Sequence, residues 1–310
     1  MRRTALFCAA ALSAACSGPG APTDYRREMR SLVREIDRYA EARRPGFRVY
    51  AQNGLPLLTE DGTPSGPLAR DYASALDGVA QESLFHGHGR GRTPEEETRD
   101  LGAFLDRARG AGLDALVTDY PSDAEAEADS YRRNALKGYR SLAAKKLLDE
   151  VPASRPGGPV PGFLYLINPR RFSGRAEYLE ALRRAPQPLL IIDLFFGGEA
   201  LTRDEVLSLK TGPDGKSRPV LSYMSIGEAE EYRYYWKPGF RRAPPAWLEA
   251  ENPEWEGNHK VRYWDPAWKR LLFGGADAYL DRVLSAGFDG VYLDLIDAYA
   301  YFEGKESSAR

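Results

Sequence analysis

The chain has 310 residues, with 43 basic against 45 acidic side chains for a net charge of −2, and 43% of it is hydrophobic. That length suits one large barrel or two small domains, and the near-neutral balance excludes an electrostatic footprint for nucleic acid. The only cysteines are Cys8 and Cys16, so the body of the protein carries neither a disulfide nor a thiolate metal site.

Met1-Arg-Arg-Thr4, an apolar run from Ala5 to Leu12 and the small residues Ser13-Ala14-Ala15 predict a secretory signal over residues 1–15, too short to span a bilayer. Cys16 then resembles the acylated first residue of a bacterial lipoprotein, with Ser13 standing where leucine is usual; cleavage near Ala15 and release is the alternative. Losing Arg2 and Arg3 leaves 41 basic against 45 acidic residues. Residues 16–23, with Gly18, Pro19, Gly20 and Pro22, read as a short tether, and residues 24–310 as one domain.

Met29, Leu32, Val33, Ile36 and Tyr39 recur at helical spacing and predict an amphipathic helix from Tyr25 to Ala42. Strands follow at Phe47–Gly54, at Asp77–Phe85 with an interior Glu82, at Gly112–Tyr120 and, more weakly, at Gly138–Ala144. Between them Thr93-Pro-Glu-Glu-Glu97 predicts a capped helix start, and a further helix runs through Tyr131 to Leu136. Val151 to Pro161 is rich in Pro and Gly and reads as a joint. Four more strands lie at Gly162–Asn168, Pro188–Phe196, Pro219–Glu228 and Phe288–Asp297, with helices such as Arg175–Arg184 and Trp268–Ala286 between them. Eight apolar strands alternating with helices predict a single-domain (β/α)8 barrel. No glycine-rich phosphate fingerprint follows any strand, which argues against a doubly wound sheet.

An acid inside a buried strand needs a partner or a polar cavity, and the C-terminal mouth of a parallel barrel is where such acids collect. Glu82, Asp119, Asp193, Glu228, Asp294 and Asp297 stand at or near strand ends. His86 and His88 have only His259 as a further histidine, so no metal and no cofactor is expected. A serine nucleophile has no elbow motif to support it, which leaves acid chemistry by paired carboxylates, as in glycoside hydrolysis. For Asp119 and Asp193 an ion pair with arginine competes with substrate contact. The segment between Glu228 and Asp294 holds all five tryptophans, and most of these are expected to pack while one or two face ligand.

Tyr223-Met-Ser-Ile-Gly-Glu-Ala-Glu-Glu-Tyr-Arg-Tyr-Tyr-Trp236, Glu251-Asn-Pro-Glu-Trp-Glu-Gly-Asn258, Val261-Arg-Tyr-Trp-Asp-Pro266 and Gly287-Phe-Asp-Gly-Val-Tyr-Leu-Asp-Leu-Ile-Asp-Ala-Tyr299 resemble glycoside hydrolase family 114. These are the endo-α-1,4-polygalactosaminidase-like extracellular barrels. Ala51-Gln-Asn-Gly54, Gln81-Glu-Ser-Leu-Phe85 and Val117-Thr-Asp-Tyr120 resemble it too, but the order differs: segments like residues 162–297 come first in that family. The chain therefore looks circularly permuted, which predicts that Tyr25 and Glu303 are neighbours. The resemblance implies Asp294 and Glu82 as the catalytic pair, with Asp294 as nucleophile or stabiliser, Glu82 as acid/base, and the two roles exchangeable. Glu228, Asp193, Asp119, Asp297, Gln52, Tyr223, Tyr299 and Trp264 are candidate sugar ligands.

The implied function is hydrolysis of an amino-sugar polysaccharide, endo-acting because a long aromatic loop would border an open cleft. A non-catalytic carbohydrate-binding barrel of the envelope and a hydrolase or lyase of another polymer are the alternatives. The expected protein is an exported monomer that meets the membrane only through its lipid anchor.

Overall fold

The computed structural model describes residues 23–87, 89, 91–152 and 160–308. The expected signal, Cys16, nearly all of the tether, His88 and most of the joint at Val151 to Pro161 lie outside them. Eight strands form one parallel sheet: β1 (Arg48–Gln52), β2 (Gly78–Glu82), β3 (Asp114–Asp119), β4 (Arg140–Ala143), β5 (Leu164–Leu166), β6 (Leu190–Ile192), β7 (Val220–Ser225) and β8 (Gly290–Asp294). Each strand lies beside its neighbours in the chain, and the first pairs with the last, Tyr50 opposite Tyr292. The ring closes between β4 and β5, where the Gly162 N–H donates to the Ser141 carbonyl at 2.8 Å. A Cβ on residue 162 would sit 2.9 Å from the Arg140 Cβ, so a glycine is what lets these edges approach. The architecture is a (β/α)8 barrel, as the alternation of strands and helices predicts.

Helices α1 (Tyr25–Glu41), α2 (Glu95–Gly110), α3 (Ala124–Lys137), α4 (Arg175–Arg184), α5 (Arg203–Ser208), α6 (Pro266–Leu272), α7 (Tyr279–Ala286) and α8 (Tyr299–Ser308) surround the barrel. Asp24 caps α1 by accepting from the Arg27 N–H at 3.0 Å, and Met29, Leu32, Val33, Ile36 and Ala40 bury one face. Burying each of the larger side chains stabilises the fold by about 1.5–3 kcal/mol. Two expectations change here. Thr93 does not cap α2; its hydroxyl donates to the Ser83 carbonyl at 2.6 Å and holds the loop after β2 instead. The helix expected over Trp268–Ala286 is two helices, broken where Gly274 adopts φ +109°.

Side chains alternate along each strand, which sorts the core into two layers. Tyr50, Ala80, Leu116, Leu142, Tyr165, Ile191, Leu221, Tyr223 and Tyr292 fill the barrel interior. Val49, Val79, Val117, Leu166, Ile192, Met224, Val291 and Leu293 face outward into the main core that the helices cover. The same alternation aims the next inward residue at the mouth: Gln52 follows Tyr50, Glu82 follows Ala80 and Asp294 follows Tyr292. Strand β7 stops at Ser225, short of the expected Glu228. The chain turns at Gly227 into a three-stranded antiparallel sheet of Glu228–Glu230, Asn258–Val261 and Leu248–Glu251, with Asn258–Val261 in the middle.

Candidate active site

A cavity of about 940 Å³ opens at the C-terminal end of the barrel, and Gln52, Asn53, Glu82, Tyr120, Tyr223 and Asp294 are among its walls. Three strands end the same way. Asn53, Ser83 and Leu295, each directly after β1, β2 or β8, have φ of 60°, 59° and 61°. A left-handed residue without glycine costs about 1–2 kcal/mol, so the surrounding packing must hold these bends in place. At Leu295 the packing is visible: a Cβ on Gly227 would lie 2.3 Å from the Leu295 carbonyl oxygen, and one on Gly54 2.7 Å from Ile296 Cγ2. Two glycines thus leave room for the turn that presents Asp294.

Asp294 accepts from the Tyr223 hydroxyl at 2.8 Å on Oδ2 and from the Leu295 N–H at 2.8 Å on Oδ1. Burial first, and the Glu82 charge second, raise its pKa to about 8 against the pull of those two donors. Glu82 accepts from Asn53 Nδ2 at 3.3 Å and from the Tyr120 hydroxyl, while its own N–H donates to Asn53 Oδ1 at 3.1 Å. Among the described residues neither carboxylate forms an ion pair with a lysine, arginine or histidine. Asp294, buried beside a second acid with no cation paired to either among the described residues, is held protonated near neutrality.

The other acids of the cavity are engaged differently. Asp193 forms a buried ion pair with Arg233, 2.8 Å from Oδ2 to Nη2, and Arg233 also meets Glu230 at 2.5 Å. Glu228 is 1% exposed and pairs through Oε1 with Lys260 and with Asn252 Nδ2, the latter at 2.9 Å, leaving Oε2 buried without a partner among the described residues. The Asp193 pair therefore joins the insertion to the barrel, while Glu228 braces the insertion's own sheet; both acids also line the cavity. Gln52 is buried and accepts from the Tyr165 hydroxyl at 2.9 Å. Asp297 is open to the cavity, and the protein around it raises its pKa while Lys260 pulls the other way.

Asp119, Tyr299 and Trp264 are not among the residues lining the cavity. Asp119 points outward from β3, fully buried. It accepts from the Phe85 N–H at 2.8 Å, the His86 N–H at 3.2 Å, the Ser130 hydroxyl at 2.7 Å and Asn134 Nδ2 at 3.2 Å, tying the loop after β2 to α3. Alternation carries the signal: Leu116 faces inward, so Asp119 has the wrong parity for the mouth and Tyr120 the right one. Tyr299 sits under Arg26, whose guanidinium carbon is 4.9 Å from its ring centre. Trp264 packs on Phe302 at 4.7 Å and on Tyr25 at 5.2 Å. The tryptophan on the cavity wall is Trp255, which the sequence reading did not single out, and Asn53, Tyr120, Asn252, Lys260 and Arg233 were missed with it. His86 meets Asp129, 3.2 Å from Nε2, on the outside of the barrel, and its expected companion His88 lies outside the described residues.

Residues 192–309 match the sequence model of Glycoside-hydrolase family GH114. A Deinococcus radiodurans protein described as uncharacterized is 45% identical over 122 residues, which are 39% of this chain and 37% of that protein. An uncharacterized Methanocaldococcus jannaschii protein is 50% identical over 82 residues, 26% of this chain and 22% of its own length. The chain thus spans little more than a third of the first relative and under a quarter of the second. A solved U32 peptidase structure superposes with a TM-score of 0.35 at 14% identity, over 80% of this chain and 92% of that one. The matched segment carries Asp193, Glu228, Asp294 and Asp297; Gln52, Asn53 and Glu82 come from the part of the chain before it.

Proposed function

We propose that the protein hydrolyses an amino-sugar polysaccharide within the chain, as an endo-α-1,4-polygalactosaminidase-like glycosidase, with Glu82 and Asp294 as its catalytic pair. The observation that carries this is the pair itself, two carboxylates from β2 and β8 at one cavity, coupled by charge and free of ion pairs among the described residues. Glycoside hydrolysis needs one acid with a proton to give and one without. In the reacting form the proton must stand on Glu82, and the Tyr223 hydroxyl and Leu295 N–H hold an ionised Asp294 by one oxygen each. Glu82 then protonates the leaving glycosidic oxygen, while Asp294 attacks the anomeric carbon or stabilises the cation forming there. Afterwards Glu82 takes a proton from the incoming water. Gln52, Asn53 and Asp297 line the cavity and would bind hydroxyl or amino groups of the sugar, and the surplus of acids at the mouth suits a cationic sugar.

The N-terminal pattern supports an exported protein anchored through Cys16. The test of function is release of reducing ends from partially de-acetylated polygalactosamine by the wild type, with Glu82→Gln and Asp294→Asn in parallel. Loss of at least about a thousandfold in both variants is expected. A protein that binds the polymer and never cleaves it would be a binding barrel instead. Roles follow from an aryl glycoside with a good leaving group: Glu82→Gln should keep activity on it and Asp294→Asn should not.

A further inference from the structure

Four of the five tryptophans are accounted for by packing. Trp236 stacks on His259 at 4.9 Å, Trp247 meets Trp268 at a tilt at 5.0 Å and Trp264 meets Phe302 edge to face at 4.7 Å, while the Trp268 indole N–H donates to the Ile226 carbonyl at 2.9 Å. Trp255 is different. It lines the cavity, is 46% exposed, and the contact on its ring is the Lys146 ammonium, 5.1 Å from the ring centre.

The two residues come from far apart on the rim. Lys146 follows β4, and Trp255 belongs to the insertion between β7 and β8. In a ring of eight strands that is a span of three, so the contact crosses the mouth instead of following its edge. Trp255 is also held firmly. The Asn252 N–H donates to the Asn258 carbonyl at 2.7 Å, the Trp255 N–H to the Asn252 carbonyl at 3.1 Å, and the Asn252 side chain to Glu228 at 2.9 Å. A half-exposed indole on a braced turn is an organised face, whereas an exposed lysine is a long side chain with many rotamers.

Resting on the carbohydrate reading of the cavity, we propose that Trp255 is a stacking subsite for a pyranose ring of the polymer, and that Lys146 covers it in the empty protein. A sugar entering the mouth takes the indole face, and the Lys146 ammonium swings out to water. Lys146 therefore weakens binding at this subsite while Trp255 provides it. An exposed cation–π contact corresponds to a factor of about two to five in affinity, and aromatic stacking of this kind to roughly tenfold.

The experiment is calorimetric binding by the full chain carrying Asp294→Asn, with α-1,4-linked hexamers of galactosamine, N-acetylgalactosamine and galactose as probes. Trp255→Ala should weaken binding of the recognised hexamer roughly tenfold. Trp255→Phe, which keeps an aromatic face, should recover most of it and controls for folding. Lys146→Ala should tighten binding about two- to fivefold when Trp255 is present and leave it unchanged in Trp255→Ala. Binding indifferent to Trp255→Ala, or a Lys146→Ala effect equal in both backgrounds, overturns the subsite and leaves the carbohydrate reading standing. Binding of none of the three hexamers by the parent overturns both.

Discussion

Asp294 keeps its proton to about pH 8 in the folded protein, against an ordinary value of 3.8, because burial and the Glu82 charge both disfavour its ionised form. Between those two values the folded chain binds more of this proton than the unfolded one. The contribution to stability is therefore complete below about pH 4 and falls as pH rises toward 8. Asp294→Asn, which never ionises, should melt several °C higher than the wild type near pH 8, with the gap closing toward pH 4. Thermal unfolding at both pH values checks this, and a gap that widens in acid would contradict it. The same proton governs turnover. An enzyme that needs one proton on the pair loses kcat/KM as that proton leaves, so the alkaline limb should fall near pH 8. The Tyr223 hydroxyl favours the carboxylate form of Asp294, so Tyr223→Phe should move the limb upward, by up to about one unit. A limb that moves downward would mean that Tyr223 acts on some other group.

At the scale of the element, the site is made by how strands end. A left-handed Leu295 has no local reason to exist; the close approach of Gly54 to Ile296 and of Gly227 to Leu295 leaves room for the bend. Gly227→Ala places a Cβ 2.6 Å from the Ala298 Cβ and closer still to the Leu295 carbonyl, so the whole segment must shift. The expected result is a stability loss of about 1–3 kcal/mol and a fall in kcat of at least about a hundredfold, since Asp294 is carried on that segment. Leu295→Gly makes the opposite test, relieving backbone strain without moving a neighbour. It should cost little stability, because the relief of about 1 kcal/mol offsets the lost Leu side chain, and it should keep Asp294 working. Urea unfolding together with polymer hydrolysis separates the two effects. Glu82 and Asp294 were legible in the sequence as acids within apolar strands and through the family resemblance, and strand alternation agrees with both. It should also have excluded Asp119, whose parity places it under α3. Asn53 and Tyr120 were hidden for a different reason: their roles depend on a loop bend and on a neighbouring strand, and neither is a periodic feature.

For the whole molecule, the fold was readable because eight apolar runs separated by helical segments leave few ways to bury a parallel sheet. The insertion was not, because a three-stranded sheet with an aromatic core has no period long enough to recognise. Trp255 stands on the cavity wall, whereas Trp264 packs against Tyr25 and Phe302 in the outer layer. Barrel closure also has a consequence for chain order. β1 and β8 pair through four residues from Arg48–Gly290 to Ala51–Leu293, and the ends of the outer layer touch: the Tyr25 hydroxyl donates to Glu306 Oε1 at 2.6 Å, and Arg26 meets Glu303 at 2.8 Å. That proximity agrees with the neighbourhood expected for Tyr25 and Glu303, and any barrel whose last strand pairs with its first would show it. On the far side, β4 and β5 meet through the Gly162 to Ser141 bond. A chain reordered to begin at Pro161, run to Ser308, pass through a short Gly/Ser linker and continue from Asp24 to Val151 keeps every strand beside the same partners. It should fold cooperatively, with a Tm within about 10 °C of the parent and the same polymer hydrolysis, because helices, registers and both catalytic strand ends are unchanged. Calorimetry and the reducing-end assay on that chain decide the matter. Non-cooperative melting would mean that the connection from Val151 to Pro161 fixes the β4–β5 edge more strongly than the hydrogen bond across it.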